Sequence, residues 1–336
     1  MIQGHGDDIY NQSAEIKCNF SSNVDTLQDL SELRAHLIEK INQIHSYPEP
    51  DATSFADLIA QKNSVLPQNI CVTNGATEAI YLIAQSFRES RTAVVIPTFS
   101  EYEDACRLNS HALSFYTNLT DIPYDTELVW LCNPNNPTGK VYKKAEIRSF
   151  LSAHQNTVLI IDQSYEQFSR EELFSLSEAI EYDNLILLHS LTKHFAIPGL
   201  RLGYFSATAR LVEKIKSYKM PWSVNQLAIE AGKFLETHYT NLVDISTHMS
   251  RAKRLYEQLS QIEGLEVQGS QTHFFLCRIK DETRTASELK TYLLDSKGFL
   301  IRDASNFRGL SPQHFRIASQ TEEANTELIQ AIQKWI

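Results

Sequence analysis

Between about residues 70 and 206, short runs of apolar and β-branched residues alternate with longer stretches in which apolar positions recur every three or four residues. The runs CVTN (71–74), TAVVIP (92–97), ELVWLCN (127–133), TVLIID (157–162), NLILLHS (184–190) and LGYFSA (202–207) predict strands. Strands that alternate with amphipathic helices predict an α/β domain, with a mostly parallel sheet lying between helices. A helical segment is expected at 31–45, and a long helical region at 208–260. After it, THFFLCRIK (272–280) and HFRIAS (314–319) read as strands and ASELKTYLLDSKG (286–298) as a helix. This order predicts a large domain over residues 46–240 and a smaller α+β domain over 241–336, with residues 1–45 packing against the small domain. Neither a repeat nor a Pro/Gly-rich linker marks a boundary.

At 336 residues and 42% hydrophobic content, the chain has material for two cores. Its formal net charge of −10 opposes non-specific attraction to nucleic acid or an anionic membrane. Neither is expected as a partner. The opening MIQGHGDDIYNQ lacks the basic and apolar regions of a secretory leader, and no apolar stretch approaches bilayer length, so a cytoplasmic location is expected. Five cysteines without CxxC spacing suit a reducing compartment and argue against a metal site.

The chemically distinctive residues fall at strand ends, where open α/β sheets bind ligands. NGATEA opens a helix after the run 71–74, so Gly75, Ala76 and Thr77 could meet a phosphate or simply cap that helix. In NPNNPTG (133–139), two Asn-Pro pairs stiffen a turn that could hold Asn136 at a fixed point or serve no ligand. Asp162 ends an apolar run where a carboxylate needs a partner; it could keep a ring nitrogen protonated or cap the next helix. Tyr165 follows three residues on. Lys193 lies in a loop after the run 184–190, either as a partly desolvated nucleophile or as an exposed lysine. Ser190 and Arg201 flank it.

In this order, NGATEA, PTFSEY, NPNNPTG, DQSY, SLTKHFAIPGLRLGY and FRIA resemble the class I/II aminotransferase family of fold-type-I pyridoxal 5′-phosphate enzymes. The resemblance covers nearly the whole chain and implies a large domain with a seven-stranded sheet. It also implies that Lys193 holds the cofactor as a Schiff base and shuttles protons. By the same likeness, Asp162 pairs with the pyridine nitrogen, Asn136 and Tyr165 bind the ring's phenolic oxygen, and Tyr102 stacks on the ring. Gly75, Ala76, Thr77, Ser190 and Arg201 would hold the cofactor phosphate. Tyr47 would reach the neighbouring subunit's cofactor phosphate, which makes the expected unit a homodimer. Arg316, in FRIA, would bind the substrate α-carboxylate. Asp162-Gln163-Ser164-Tyr165 departs from the common DEAY, but both presumed cofactor contacts are kept.

Within the family, SLTKHFAIPGLRLGY, PWSVNQLA and IRDASNFRGL are more similar to threonine-phosphate decarboxylases of corrinoid biosynthesis than to histidinol-phosphate aminotransferases. That likeness nominates His5, in GHGDDIY, and Arg302 for a substrate phosphate. It also places Asn23 in the segment that replaces an NxNPLG-like motif. A second arginine is usual four residues after the carboxylate-binding one, and Gln320 stands there. Decarboxylation and transamination stay open, because the outcome depends on which Cα bond stands perpendicular to the ring plane. A dinucleotide-dependent dehydrogenase would need a G-x-G-x-x-G turn, which does not occur. A DNA-binding regulator would need a basic helix-turn-helix extension. Retention of the whole residue set opposes an inactive homologue.

Overall fold

The computed structural model describes residues 9–10, 14–24, 28–239 and 244–336. The chain opens with a two-residue strand, β1 (Cys18–Asn19), and two helices, α1 (Ser31–Lys40) and α2 (Thr53–Lys62). Seven strands then build the large sheet: β2 (Ile70–Thr73), β3 (Arg91–Val95), β4 (Ala112–Tyr116), β5 (Leu128–Cys132), β6 (Val158–Asp162), β7 (Leu185–Ser190) and β8 (Gly203–Ser206). Their spatial order is β2-β8-β7-β6-β5-β3-β4. Only β8 runs against its neighbours; the other pairs are parallel.

The strand runs are apolar throughout because both faces of the sheet are covered. On one face Trp130, Ile160 and Ile186 pack under α3 (Gly75–Ser86), α4 (Glu101–Leu108) and the helix Ala209–Lys216. The alternate residues Val129, Leu159 and Leu187 meet Ile147 and Phe150 of the helix Lys144–Ala153. The edge strand β4 is absent from the sequence-based expectation. Its ALSFY stretch is half-exposed and lacks a continuous apolar run.

The small domain adds β9 (Leu265–Val267), β10 (Phe274–Ile279), β11 (Phe299–Leu300), β12 (Arg302–Asp303) and β13 (His314–Ala318). Four of these form an antiparallel sheet in the order β12-β13-β10-β9. The helices Ile245–Ser260, Ala286–Lys297 and Glu322–Trp335 cover it through one core that also takes in Phe20.

The N-terminal segment expected to pack with the small domain divides. β1 pairs in parallel with β11 and belongs there. By contrast, Leu33 of α1 is buried with Phe55 and Ile229 in the core of the large domain, because the Leu30, Leu33 and Leu37 face of α1 meets the helix Gln226–His238. The expected 208–260 helical region is three helices, interrupted around Pro221 and again after His238.

Candidate active site

β2 and β7 are both antiparallel to β8, so they are parallel to each other. The carboxyl ends of β2, β3, β5, β6 and β7 therefore open at one edge, and the amino end of β8 joins them. At that edge lies a cavity of about 370 Å³ lined by Lys193, Asp162, Asn136, Tyr165, Arg201 and Arg316, together with Ala76, Thr77, Tyr102, Ser190 and Asn23. Lys193 is half-buried in the turn-rich loop that follows β7.

Asp162 is 4% exposed. Its Oδ2 accepts a 2.7 Å hydrogen bond from the Tyr102 hydroxyl, and its Oδ1 accepts one of 2.9 Å from the Ser164 amide. Tyr102 is fully buried, and burial together with Asp162 holds its phenol far above the ordinary range, so it donates at neutral pH. Its ring lies parallel to Trp130 at 5.1 Å. One face of the aromatic ring expected to stack on a cofactor is thus taken by a strand residue, which also fixes the hydroxyl on Asp162.

Asn136 sits in a loop pinned by its neighbours. Asn133 accepts from the Tyr142 amide at 2.8 Å, and Asn135 donates to the Pro97 carbonyl at 2.9 Å. Such ties hold the Asn136 amide at one place on the cavity wall. Its Oδ1 accepts from Arg316. Tyr165 packs edge-on to Phe274, and burial, opposed by Arg316, raises its hydroxyl to about 12.

The other end of the cavity is a cradle built by two close approaches. Gly75, at φ +77, opens α3 directly after β2, and a Cβ there would stand 2.6 Å from Arg201 Nη2. Gly203 faces Ser190 on β7 and Thr73 on β2. A Cβ there would lie 2.8 Å from both the Ala76 nitrogen and the His189 oxygen. Without these two side chains, the amino terminus of α3, with its unspent backbone N–H groups, drops onto the sheet beside a guanidinium.

Arg316, on β13, is 4% exposed. It donates to Asn136 and to the Ser21 carbonyl, lies over Phe274 at 5.6 Å, and has a buried Nε without a hydrogen-bond partner among the described residues. Burial pulls it down to about 10, so it is charged at neutral pH. Directly across the antiparallel pair stands Arg302, held by Asn306 at 2.8 Å and lining an adjoining hollow with Arg316 and Asn136. The register thus sets two guanidinium-bearing side chains side by side on one face of the small sheet.

The profile for aminotransferase class I and II matches residues 15–332. The chain belongs to that family. Among the solved structures it resembles is L-threonine-O-3-phosphate decarboxylase from Porphyromonas gingivalis, 40% identical, with a TM-score of 0.92 over 95% of this chain and 99% of that one. A histidinol-phosphate aminotransferase from a Thermoanaerobacter species is 32% identical over 88% of this chain and 86% of its own length. An adenosylcobalamin biosynthesis bifunctional protein from Leptospira interrogans is 30% identical over 97% of this chain, which spans only 40% of that protein.

The aminotransferase family consists of pyridoxal 5′-phosphate-dependent enzymes, and the fold is theirs. The site suits that group. At Gly75 a Cβ would meet the Arg201 guanidinium beside a helix amino terminus, a combination that fits a phosphate, and a buried carboxylate and an amine converge on one cavity. Not every nominated residue gathers there. Tyr47 is 85% exposed, with its ring tilted against that of Trp222 at 5.5 Å, and His5 lies outside the described residues. Asn23 is buried on the cavity wall, its side chain beside the Tyr165 hydroxyl. Gly203, Trp130 and Ser164 went unnoticed in the sequence. Only a glycine directly at a strand start, two residues after Arg201, hinted at the first.

Proposed function

We propose that the protein is a pyridoxal 5′-phosphate enzyme that decarboxylates an amino acid bearing a second, phosphate anion, of the L-threonine O-3-phosphate type. The observation that carries this reading is the register pair Arg302 and Arg316. Arg316 is a buried cation that pairs with Asn136 and a carbonyl oxygen rather than with a carboxylate. A substrate with a carboxylate at one end and a phosphate at the other would set one anion against each arginine of the pair. Histidinol phosphate carries one anion only. Gln320, whose backbone amide is tied to Asn325, replaces the second arginine usual in decarboxylases, which leaves the phosphate to Arg302 and Asn306.

When bound, the cofactor supplies an electron sink for a bond broken at the substrate Cα. Ala76, Thr77, Ser190 and Arg201 would hold its phosphate, and Asp162, oriented by Tyr102 and Ser164, would hold the proton on its ring nitrogen. Asn136 and Tyr165 would bind its phenolic oxygen. Lys193 would carry it covalently and return a proton to Cα. Arg316 would hold the substrate carboxylate, and Arg302 the phosphate.

We also infer that the active unit is a dimer with Tyr47 contributed across the interface. Exposed Ile38, Ile41, Ile44, Tyr47, Met220 and Trp222 give a surface whose apolar character suits burial against a second copy. No helix among the described residues is long and apolar enough to cross a membrane. The deciding experiment is incubation with O-phospho-L-threonine, histidinol phosphate and L-threonine, each with 2-oxoglutarate as amino acceptor, scoring carbon dioxide and glutamate formation separately. Carbon dioxide from the first alone is the expected result; glutamate formation without carbon dioxide would reject decarboxylation.

A further inference from the structure

Just outside the cavity, Glu103 and Arg308 join the two domains. Glu103 lies on α4, next to Tyr102, with its side chain 7% exposed. It accepts both Nε, at 2.8 Å, and Nη2, at 2.7 Å, from Arg308, and Arg107 Nε donates to the same carboxylate at 2.8 Å. Arg308 also lies over the Phe115 ring of β4 at 4.1 Å. The Arg308 hydrogen bonds, aided by Arg107, hold the Glu103 carboxyl below its usual range despite burial.

Arg308 belongs to the 304–313 loop between β12 and β13. The same loop carries Asn306, bonded to Arg302 at 2.8 Å, and Phe307, over which the Arg302 guanidinium lies at 5.2 Å. The loop has hydrogen bonds of its own, from Ala304 to the His314 carbonyl and from Leu310 to the Phe307 carbonyl. It therefore keeps its shape without Arg308. What Arg308 adds is its place against the large domain. Exposed ion pairs contribute little, but a planar fork on a nearly buried carboxylate is directional and lightly screened.

We propose that the Arg308–Glu103 pair is a strut that seats the 304–313 loop on α4 and so positions Arg302 and Asn306 as the subsite for the substrate's distal anion. The inference rests on the proposed function above. Arg308 is a positioning residue, distant from the reacting atoms, so its loss should raise KM for a phosphorylated amino acid while kcat is kept.

The test is calorimetric titration of inorganic phosphate into the holoenzyme, whose own cofactor fills the cradle at Gly75. Arg308→Gln and Glu103→Gln should each weaken phosphate at least tenfold, the double variant no further, and Arg308→Lys by an intermediate amount. With O-phospho-L-threonine, the same variants should show the rise in KM at retained kcat. Phosphate affinity within twofold of wild type in both single variants, or losses that multiply in the double, would overturn the strut. If Arg302→Gln abolishes phosphate binding while both strut variants retain it, the strut alone fails. If wild type binds no phosphate, or Arg302→Gln leaves binding intact, the distal-anion reading falls and takes the strut with it.

Discussion

Gly75→Ala separates what the cradle does for folding from what it does for binding. The added methyl would stand 2.6 Å from Arg201 Nη2 and 3.1 Å from its Cζ, at a residue whose φ is +77. The obstructing atoms are the tip of a flexible side chain, which swings aside at little cost to the fold. The left-handed backbone is the larger structural penalty, about 1–2 kcal/mol for alanine. Unfolding in urea should therefore show a loss of that size. A displaced guanidinium also gives up its charge-assisted hydrogen bonds to a bound phosphate, worth about 1.5–3 kcal/mol. At about 1.4 kcal/mol per decade, the dissociation constant for pyridoxal 5′-phosphate should rise roughly 10- to 150-fold, read by absorbance titration of the apoprotein. Arg201→Ala should lose as much, and Gly75→Ala/Arg201→Ala no more than Arg201→Ala. Affinity within threefold of wild type in Gly75→Ala, or losses that add in full, would show that Gly75 makes room for something other than that guanidinium.

Gly203→Ala meets backbone atoms rather than a side-chain tip, so overpacking of about 1–3 kcal/mol should appear as a lower melting temperature even without cofactor; an unchanged melting temperature would mean that α3 does not sit against β8 as described. Arg316→Met should raise KM for a carboxylate-bearing substrate at least thirtyfold, since truncating a buried charged partner costs about 2–5 kcal/mol. The unliganded protein should lose little stability, because a desolvated cation goes with it, and an unchanged KM would remove Arg316 from the site. Burial drives His194 from 6.5 to about 4, with Glu166 opposing. The unfolded chain takes up the proton first as pH falls, so this stabilisation is complete above about pH 6.5 and is lost toward pH 4. Urea midpoints measured from pH 7.5 to 4.5 should fall less steeply in His194→Asn, and equal slopes would exclude the contribution.

Lys193, Asp162 and Asn136 were legible because each interrupts or directly follows an apolar run, and in a sheet covered on both faces the end of such a run is the only place where polar chemistry is cheap. β4 was not legible: an edge strand has one neighbour, and ALSFY needs no continuous apolar pattern to hold it. Gly203 resembled any strand glycine, since its reason is the backbone of Ala76 and His189, which meet it only in the fold. Trp130 lies within a run that reads only as a strand and is core, yet it also sets the plane of Tyr102 and hence the donor on Asp162. The same division separates chemistry from selectivity. The residues that would hold a cofactor sit at strand ends, within reach of pattern and local composition. The groups that would choose a substrate are defined by pairing across the molecule, Arg302 against Arg316 through sheet register and Arg308 against Glu103 across the domain boundary. Family likeness alone nominated Arg302 and Arg316, and nothing in the sequence marked Arg308 or Glu103, so how these groups are set against one another becomes visible only when the register of β12 on β13 and the seat of their connecting loop on α4 are known.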